Sequence, residues 1–215
     1  MNQNSLPKFE LIYFPIHGRA EVLRLTFALA QAEFTDVAVT DWMTLKPQMP
    51  LGQVPVLKET VGDETWLIPQ SGAILRHLGR VLNLYGATER EHTIVDYVLE
   101  SAMDWRAKFI PVSYAKMYGT PQDVQDKYWN ELVDHNLKAM EKLLANPMKS
   151  GAWFAGQSPS IADAAVWDTM DANLAKRPEL LDKYPSLRGF YDRFAALPGV
   201  AAHLASRRPS EHRQA

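Results

Sequence analysis

Residues 52–72, GQVPVLKETVGDETWLIPQSG, decide how the first part of the chain folds. Val54 to Lys58 and Thr65 to Ile68 are two β-favouring runs joined across the turn signal Gly62-Asp63, the pattern of a β-hairpin. Pro55 enters the first of these runs. Proline cannot donate to a strand ladder, so Pro55 marks a special turn there, for which a cis bond is one solution. The second run leads directly into Gln70-Ser71-Gly72 and then a segment with Ile74, Leu75, Leu78 and Leu82 at helical spacing.

Working towards the N-terminus, Asp41 to Pro50 is read as irregular and Phe34 to Val39 alternates as a strand. Arg19 to Ala32 places Val22, Leu23, Phe27 and Ala30 on one helical face. Lys8 to Phe14, KFELIYF, is a further strand, closed by Pro15 and Gly18. The predicted order is β-α-β followed by β-β-α over residues 1–82. A short polar linker, NLYGATE, occupies 83–89. Over 90–215 every long stretch is helical in period: about 90–118, 122–145, 160–175 and 186–206. Breakers separate them at Gly119-Thr120-Pro121, Asn146-Pro147, Gly156-Gln157-Ser158-Pro159 and Pro178. Ser160-Ile161-Ala162-Asp163 matches a helix capping box, read as a folding signal. The polar tail after Arg207 is expected to fray. The predicted class is two-domain α+β, a small α/β domain followed by an all-helical one.

Composition narrows the function. Lys and Arg total 23 against 25 for Asp and Glu, a formal charge of −2 that provides no general field for nucleic acid or anionic membrane. No apolar run approaches the ~18 residues of a membrane span, and the first residues lack the pattern of a signal peptide, so a cytoplasmic protein is expected. The chain has 0 cysteines. Disulfides, thiolate metal sites and a cysteine nucleophile are excluded, and any thiol chemistry must use a thiol carried by the substrate. The histidines, His17, His77, His92, His135, His203 and His212, show no short metal-ligand spacing, and no metal is expected.

Three local features could carry chemistry: Tyr13 at a strand end before Phe14-Pro15 and Gly18-Arg19, the Gln53-Val54-Pro55 turn, and Gln70-Ser71 at a helix start, where amides and dipole attract a carboxylate. Taken singly, each has an ordinary reading: a core tyrosine, a turn, a helix cap. Trp42 alone would simply pack.

Together, and in this order, they resemble the cytosolic glutathione transferases of the tyrosine type, nearest to the sigma and then the pi class. The resemblance covers essentially the whole chain. It rests on Tyr13-Phe14-x-x-x-Gly18-Arg19-Ala20-Glu21, Trp42-x-x-x-Lys46, Gln53-Val54-Pro55, Gln70-Ser71 and the box from Ser160 to Asp163. It implies a thioredoxin-like first domain, glutathione as co-substrate and a homodimer. It assigns the Tyr13 hydroxyl to the glutathione sulfur and Arg19 to the architecture of the site or to glutathione ionisation. Trp42 and Lys46 meet the glycine end of the tripeptide, and the Val54 backbone, between Gln53 and Pro55, pairs with the cysteinyl moiety as an added strand would. Gln70 and Ser71 hold the γ-glutamyl carboxylate, and Asp104 reaches the γ-glutamyl amine across the dimer; a solvated helix face is the plain alternative for Asp104. Two positions depart from the family pattern. His17 stands where arginine is frequent, and Leu51 stands where pi-like members carry an aromatic key, which implies a flatter, sigma-like interface.

The chemistry agrees with the assignment. A thiol of pKa ~8.5 is only about 3% ionised at pH 7, and a hydrogen bond donated to the sulfur favours the thiolate. A two-unit shift requires about 2.7 kcal/mol and gives about 25-fold more thiolate. A Brønsted slope of about 0.5 makes each thiolate roughly tenfold less reactive, so the net gain is a few-fold and positioning of the electrophile must supply much of the rest. Tyr13, with an ordinary phenol pKa near ~10, would act as a neutral donor. The electrophile is expected in an apolar pocket between the domains, with Phe14, Met103, Trp105, Phe109, Tyr114, Met117 and Tyr118 as candidates. Tyr114 matches a family tyrosine that can donate to developing negative charge. Aromatics at helical spacing usually form core, which is the competing reading for this set. The expected activity is conjugation of glutathione to hydrophobic electrophiles. Glutathione-dependent isomerisation or peroxide reduction at the same site is one alternative, and a non-catalytic ligand-binding or structural protein is another.

Overall fold

The computed structural model describes residues 7–208. His212 and most of the tail expected to fray lie outside the described residues. The first strand, β1 (Lys8–Tyr13), leads through a turn at 14–20 into α1 (Glu21–Ala30) and then β2 (Thr35–Ala38), which pairs parallel to β1. The hairpin follows as β3 (Val56–Val61) and β4 (Glu64–Pro69), antiparallel to each other, with β3 also antiparallel to β1. The sheet order is β2-β1-β3-β4, a mixed four-stranded sheet. The Val54–Pro55 bond is cis.

Strand periodicity sorts the β1 side chains between two faces. Phe9, Leu11 and Tyr13 join the main core, while Ile12 joins a smaller cluster with Val39, Met49 and Val56 on the other face. Tyr13 therefore points toward the helical part of the molecule because of its register in β1.

The stretch read as irregular, 41–50, instead contains one helical turn, α2 (Trp42–Leu45), continued by a 3₁₀ turn over Lys46–Gln48. Asp41 caps it, accepting from the Thr44 amide at 3.1 Å. So short a helix is fixed by its cap rather than by an apolar stripe, and periodicity does not reveal it. α3 (Ser71–Val81) follows β4 directly.

The second part begins with α4 (Glu89–Ser113), which carries Pro111 in its last turn, and continues as α5 (Ala115–Tyr118) after a break at Tyr114. The run expected over 122–145 is α6 (Gln122–Lys127), a π-helical turn over Tyr128–Leu132 and α7 (Val133–Leu144). α8 (Ile161–Leu174) is buried around almost its whole circumference, as a central helix must be. Its capping box is formed: Asp163 accepts from the Ser160 amide at 2.8 Å and also from the Phe154 amide at 3.0 Å. The helix expected over 186–206 is two, α9 (Pro185–Ala195) and α10 (Pro198–Ser206). Pro198, which lacks an amide proton, starts the second. Among the described residues no helix is long and apolar enough to cross a membrane.

Two helices of the second part, α8 and α10, join the halves. α8 packs on α4 and also on α1, and α10 packs on α1. Gly199 makes the last contact possible, since a Cβ there would lie 2.0 Å from the Ala28 carbonyl oxygen.

Candidate active site

Two clefts meet beside the end of β1. The first, about 400 Å³, is lined by Trp42, Leu51, the chain from Gly52 to Pro55, and Pro69, Gln70 and Ser71 at the start of α3. The second, about 280 Å³, is lined by Tyr13, Ile16, Gly18, Arg106, Ile110, Tyr114, Met117 and Tyr118. Phe14 and Arg19 line both.

Tyr13 is buried, and its hydroxyl accepts a hydrogen bond of 3.0 Å from the Arg19 amide. The turn that delivers this amide depends on Gly18, whose φ is +44° and whose missing Cβ would stand 2.4 Å from the Tyr13 hydroxyl oxygen. Phe14 packs edge-on between Tyr13 and Trp42, with centroids 5.6 and 5.5 Å away, and so forms the wall between the clefts.

The first cleft is built from chain ends. Gln70 precedes α3 at φ +72°, a region side chains other than glycine rarely adopt, and its side chain makes no capping hydrogen bond. The ordinary reading of Gln70 as a cap is therefore set aside. Ser71 is the first residue of α3, where helix amides lack intrahelical partners and favour an anion. Lys46 is exposed and lays its aliphatic chain near Gly52, whose Cβ would lie 3.7 Å from Lys46 Cε. Leu51 is exposed at the rim. Asp104 is exposed on α4 and lines neither cleft.

The candidates for the second cleft divide. Phe14, Tyr114, Met117 and Tyr118 line it, the last two at its exposed rim. Trp105 and Phe109 do not. Trp105 is fully buried, donating from Nε1 to the Tyr128 hydroxyl at 2.9 Å, and Phe109 packs against Tyr128 and Trp129. Both lie on the buried stripe Val98, Ala102, Trp105, Phe109, Val112, which is core. Met103 turns away as well: its Sδ and Cε cover Gly72 at the start of α3, beside a small cavity shared with Ser71 and Arg106. Ile16, Ile110 and Arg106 were not anticipated. Residues 106, 110 and 114 recur every four positions along α4 and its C-terminal cap, so this neighbouring stripe was a usable signal.

Arg106 bridges the halves of the molecule. One nitrogen, Nη1, lies 2.7 Å from Asp168 Oδ2 on α8, an ion contact without hydrogen-bond alignment. The other, Nη2, donates to the Gly18 carbonyl. Burial pushes the Asp168 carboxyl up to about 7; Arg106 and Arg207 oppose the rise, while Glu21 and Asp171 add to it. Behind the turn, Glu21 behaves in the opposite way. Burial alone would raise it, but a hydrogen bond with His203 at 2.8 Å and the charges of His17, His203 and Arg24 hold it down at about 2. Buried His17 binds the Arg208 carbonyl at 2.8 Å through Nε2, tying the turn to the chain beyond α10.

Residues 103–207 match the model of the glutathione S-transferase C-terminal domain family. Over 200 residues, 92% of this chain and 92% of the relative, the sequence is 36% identical to a Caenorhabditis elegans protein named glutathione S-transferase P. The chain belongs to the glutathione S-transferase family. Among solved members of the family, the glutathione S-transferase from Ascaris lumbricoides superposes with a TM-score of 0.81 at 30% identity, covering 94% of this chain and 98% of that one. The chain is also 33% identical to the Gallus gallus protein named hematopoietic prostaglandin D synthase, over 94% of this chain and 98% of the relative. The fold is that of the transferases, an N-terminal thioredoxin-like domain and a helical C-terminal domain. Among the described residues no group of three or more His, Asp or Glu side chains could hold a metal ion.

Proposed function

We propose that this transferase holds the thiol of glutathione as a thiolate against the Tyr13 hydroxyl and adds it to hydrophobic electrophiles. The observation that carries this reading is the position of Tyr13. Its hydroxyl oxygen accepts from the Arg19 amide and lies in an apolar cleft, at the border with a polar cleft shaped by chain ends. An oxygen already accepting from an amide is a stronger donor through its own proton, because each bond in such a chain polarises the next.

In the polar cleft, Gln70, Ser71 and the first amides of α3 suit the γ-glutamyl carboxylate of glutathione. The Val54 backbone, on the wall of this cleft, would pair with the cysteinyl part, with Gln53 beside it. Trp42 and Lys46 would meet the glycine end. The thiol proton leaves to solvent, the sulfur attacks the electrophile's carbon, and the leaving group departs with its electron pair; an enone instead takes up a proton. Tyr114, in the apolar cleft, can donate to the negative charge that develops on such substrates. Asp104, exposed on α4, would contact the γ-glutamyl amine bound by the second subunit of a homodimer, and the protein would act in the cytoplasm.

The similarity to a protein named prostaglandin D synthase favours one second reading, an isomerase using the same thiolate. A panel of an activated aryl halide, an enone, an isothiocyanate and an organic hydroperoxide tests the proposal. Turnover of any of the first three that falls more than tenfold in Tyr13→Phe supports conjugation. Glutathione binding without turnover on the whole panel would point to a carrier, and turnover unaffected by Tyr13→Phe would exclude the tyrosine mechanism.

A further inference from the structure

We propose that Arg106 is a positioning residue for the Tyr13 hydroxyl, acting through the Gly18–Arg19 peptide. The carbonyl of that peptide accepts from Arg106 Nη2, and the amide of the same peptide donates to the Tyr13 hydroxyl at 3.0 Å. The guanidinium is itself held against Asp168 on α8, 2.7 Å away. A single chain of contacts thus runs from the centre of the helical domain, through one peptide unit, to the phenol. The inference rests on the reading of Tyr13 as the donor to the thiolate.

Two effects follow. A charged donor on the carbonyl strengthens the amide at the other end of the peptide as a donor, and so the phenol as a donor beyond it. The anchor also fixes a turn that otherwise has freedom, since Gly18 has no side chain to pin it. Arg106 Nε and Nη1 and Asp168 Oδ2 are buried without aligned hydrogen bonds, so the pair is poorly repaid for its burial and is hard to explain as a stability device. The charged groups around it are Arg19 in the shared cleft and Glu21, Asp171 and Arg207 near Asp168. Lysine cannot replace this arginine, because a point charge does not span the carboxylate and the carbonyl together.

The test is the ultraviolet absorbance of the thiolate, titrated with the full-length protein saturated with glutathione. Arg106→Met is expected to raise the apparent thiol pKa by about one unit, tenfold in thiolate population at lower pH, with KM for glutathione changed less than about threefold. From a wild-type pKa of about 6.5 the thiolate fraction at pH 6.5 should fall about fivefold, and because each thiolate becomes about threefold more reactive the loss in kcat should be only about twofold there and vanish as the pH approaches 9. Arg106→Lys should recover only part of the shift. If Arg106→Met does not fold because Asp168 is stranded, Arg106→Met/Asp168→Asn removes both charges and gives the same reading. A purely structural role lowers the unfolding temperature of these variants without moving the thiol pKa. Folded variants that keep the wild-type pKa overturn the inference. An ordinary thiol pKa in the wild-type protein overturns it too, and is recognised as failure of the Tyr13 reading because it is seen before any variant is compared.

Discussion

Gly18→Ala is the smallest change that should disable the site. The methyl group is placed 2.4 Å from the Tyr13 hydroxyl oxygen, 2.7 Å from Cε1 and 3.0 Å from Cζ, all on a buried ring. Reaching ordinary van der Waals contact requires a retreat of about 1 Å. The backbone cost is separate: alanine at φ +44° is disfavoured by about 1 kcal/mol, and overpacking a tight site costs about 1–3 kcal/mol more. A destabilisation of about 2–4 kcal/mol is expected by urea unfolding. A misplacement of about 1 Å at a reacting group costs on the order of 100-fold in rate, so conjugation should fall at least that far. Glutathione affinity should change less, since most of the first cleft does not touch Gly18. Stopped-flow conjugation, glutathione binding by calorimetry and urea unfolding on one preparation separate the three effects. If Gly18→Ala is as stable and as active as the wild type, the close packing of turn and phenol described above is wrong.

Other substitutions probe the frame. Gln70→Gly should relieve the strain at φ +72° and stabilise the fold by about 1 kcal/mol while weakening glutathione binding, both measurable by thermal unfolding with and without ligand. Asp163→Ala leaves the Phe154 and Ser160 amides buried without acceptors and should cost about 2–5 kcal/mol in urea unfolding. Glu21 is held at about 2 against an ordinary 4.5, so its ionised form favours the folded state. That contribution, about 3 kcal/mol, is complete above pH 4.5 and is lost as the pH falls toward 2; Glu21→Gln should flatten the acid limb of a stability–pH curve. An acid limb as steep in Glu21→Gln as in the wild type would remove that assignment.

The order of strands and helices was legible because each of its elements carries its own period or turn signal. KFELIYF alternates, Gly62-Asp63 turns, and Ile74, Leu75 and Leu78 form a stripe. The helical turn at Trp42–Leu45 was not, being set by one cap, and neither was the π turn at Tyr128–Leu132, which leaves the helical run unbroken in sequence. In the site, Trp105 and Phe109 misled because helical spacing identifies a stripe but not the neighbour it faces. The stripe through 105 and 109 meets the core, and the next one, through 106, 110 and 114, meets the cleft. The link from Arg106 to Gly18 spans 88 positions and has no local signature. A bond of that kind is made by the packing of α4 and α8 against the first domain, and only the folded chain displays it.

The central claim is that the Tyr13 hydroxyl ionises the thiol of bound glutathione, and titration of the thiolate absorbance in wild type and Tyr13→Phe tests it without knowledge of the second substrate. A wild-type thiol pKa of about 6–7 that returns toward about 8.5 in Tyr13→Phe, with glutathione still bound, is the expected result. A wild-type value already at about 8.5, or a lowered value untouched by Tyr13→Phe, would contradict it.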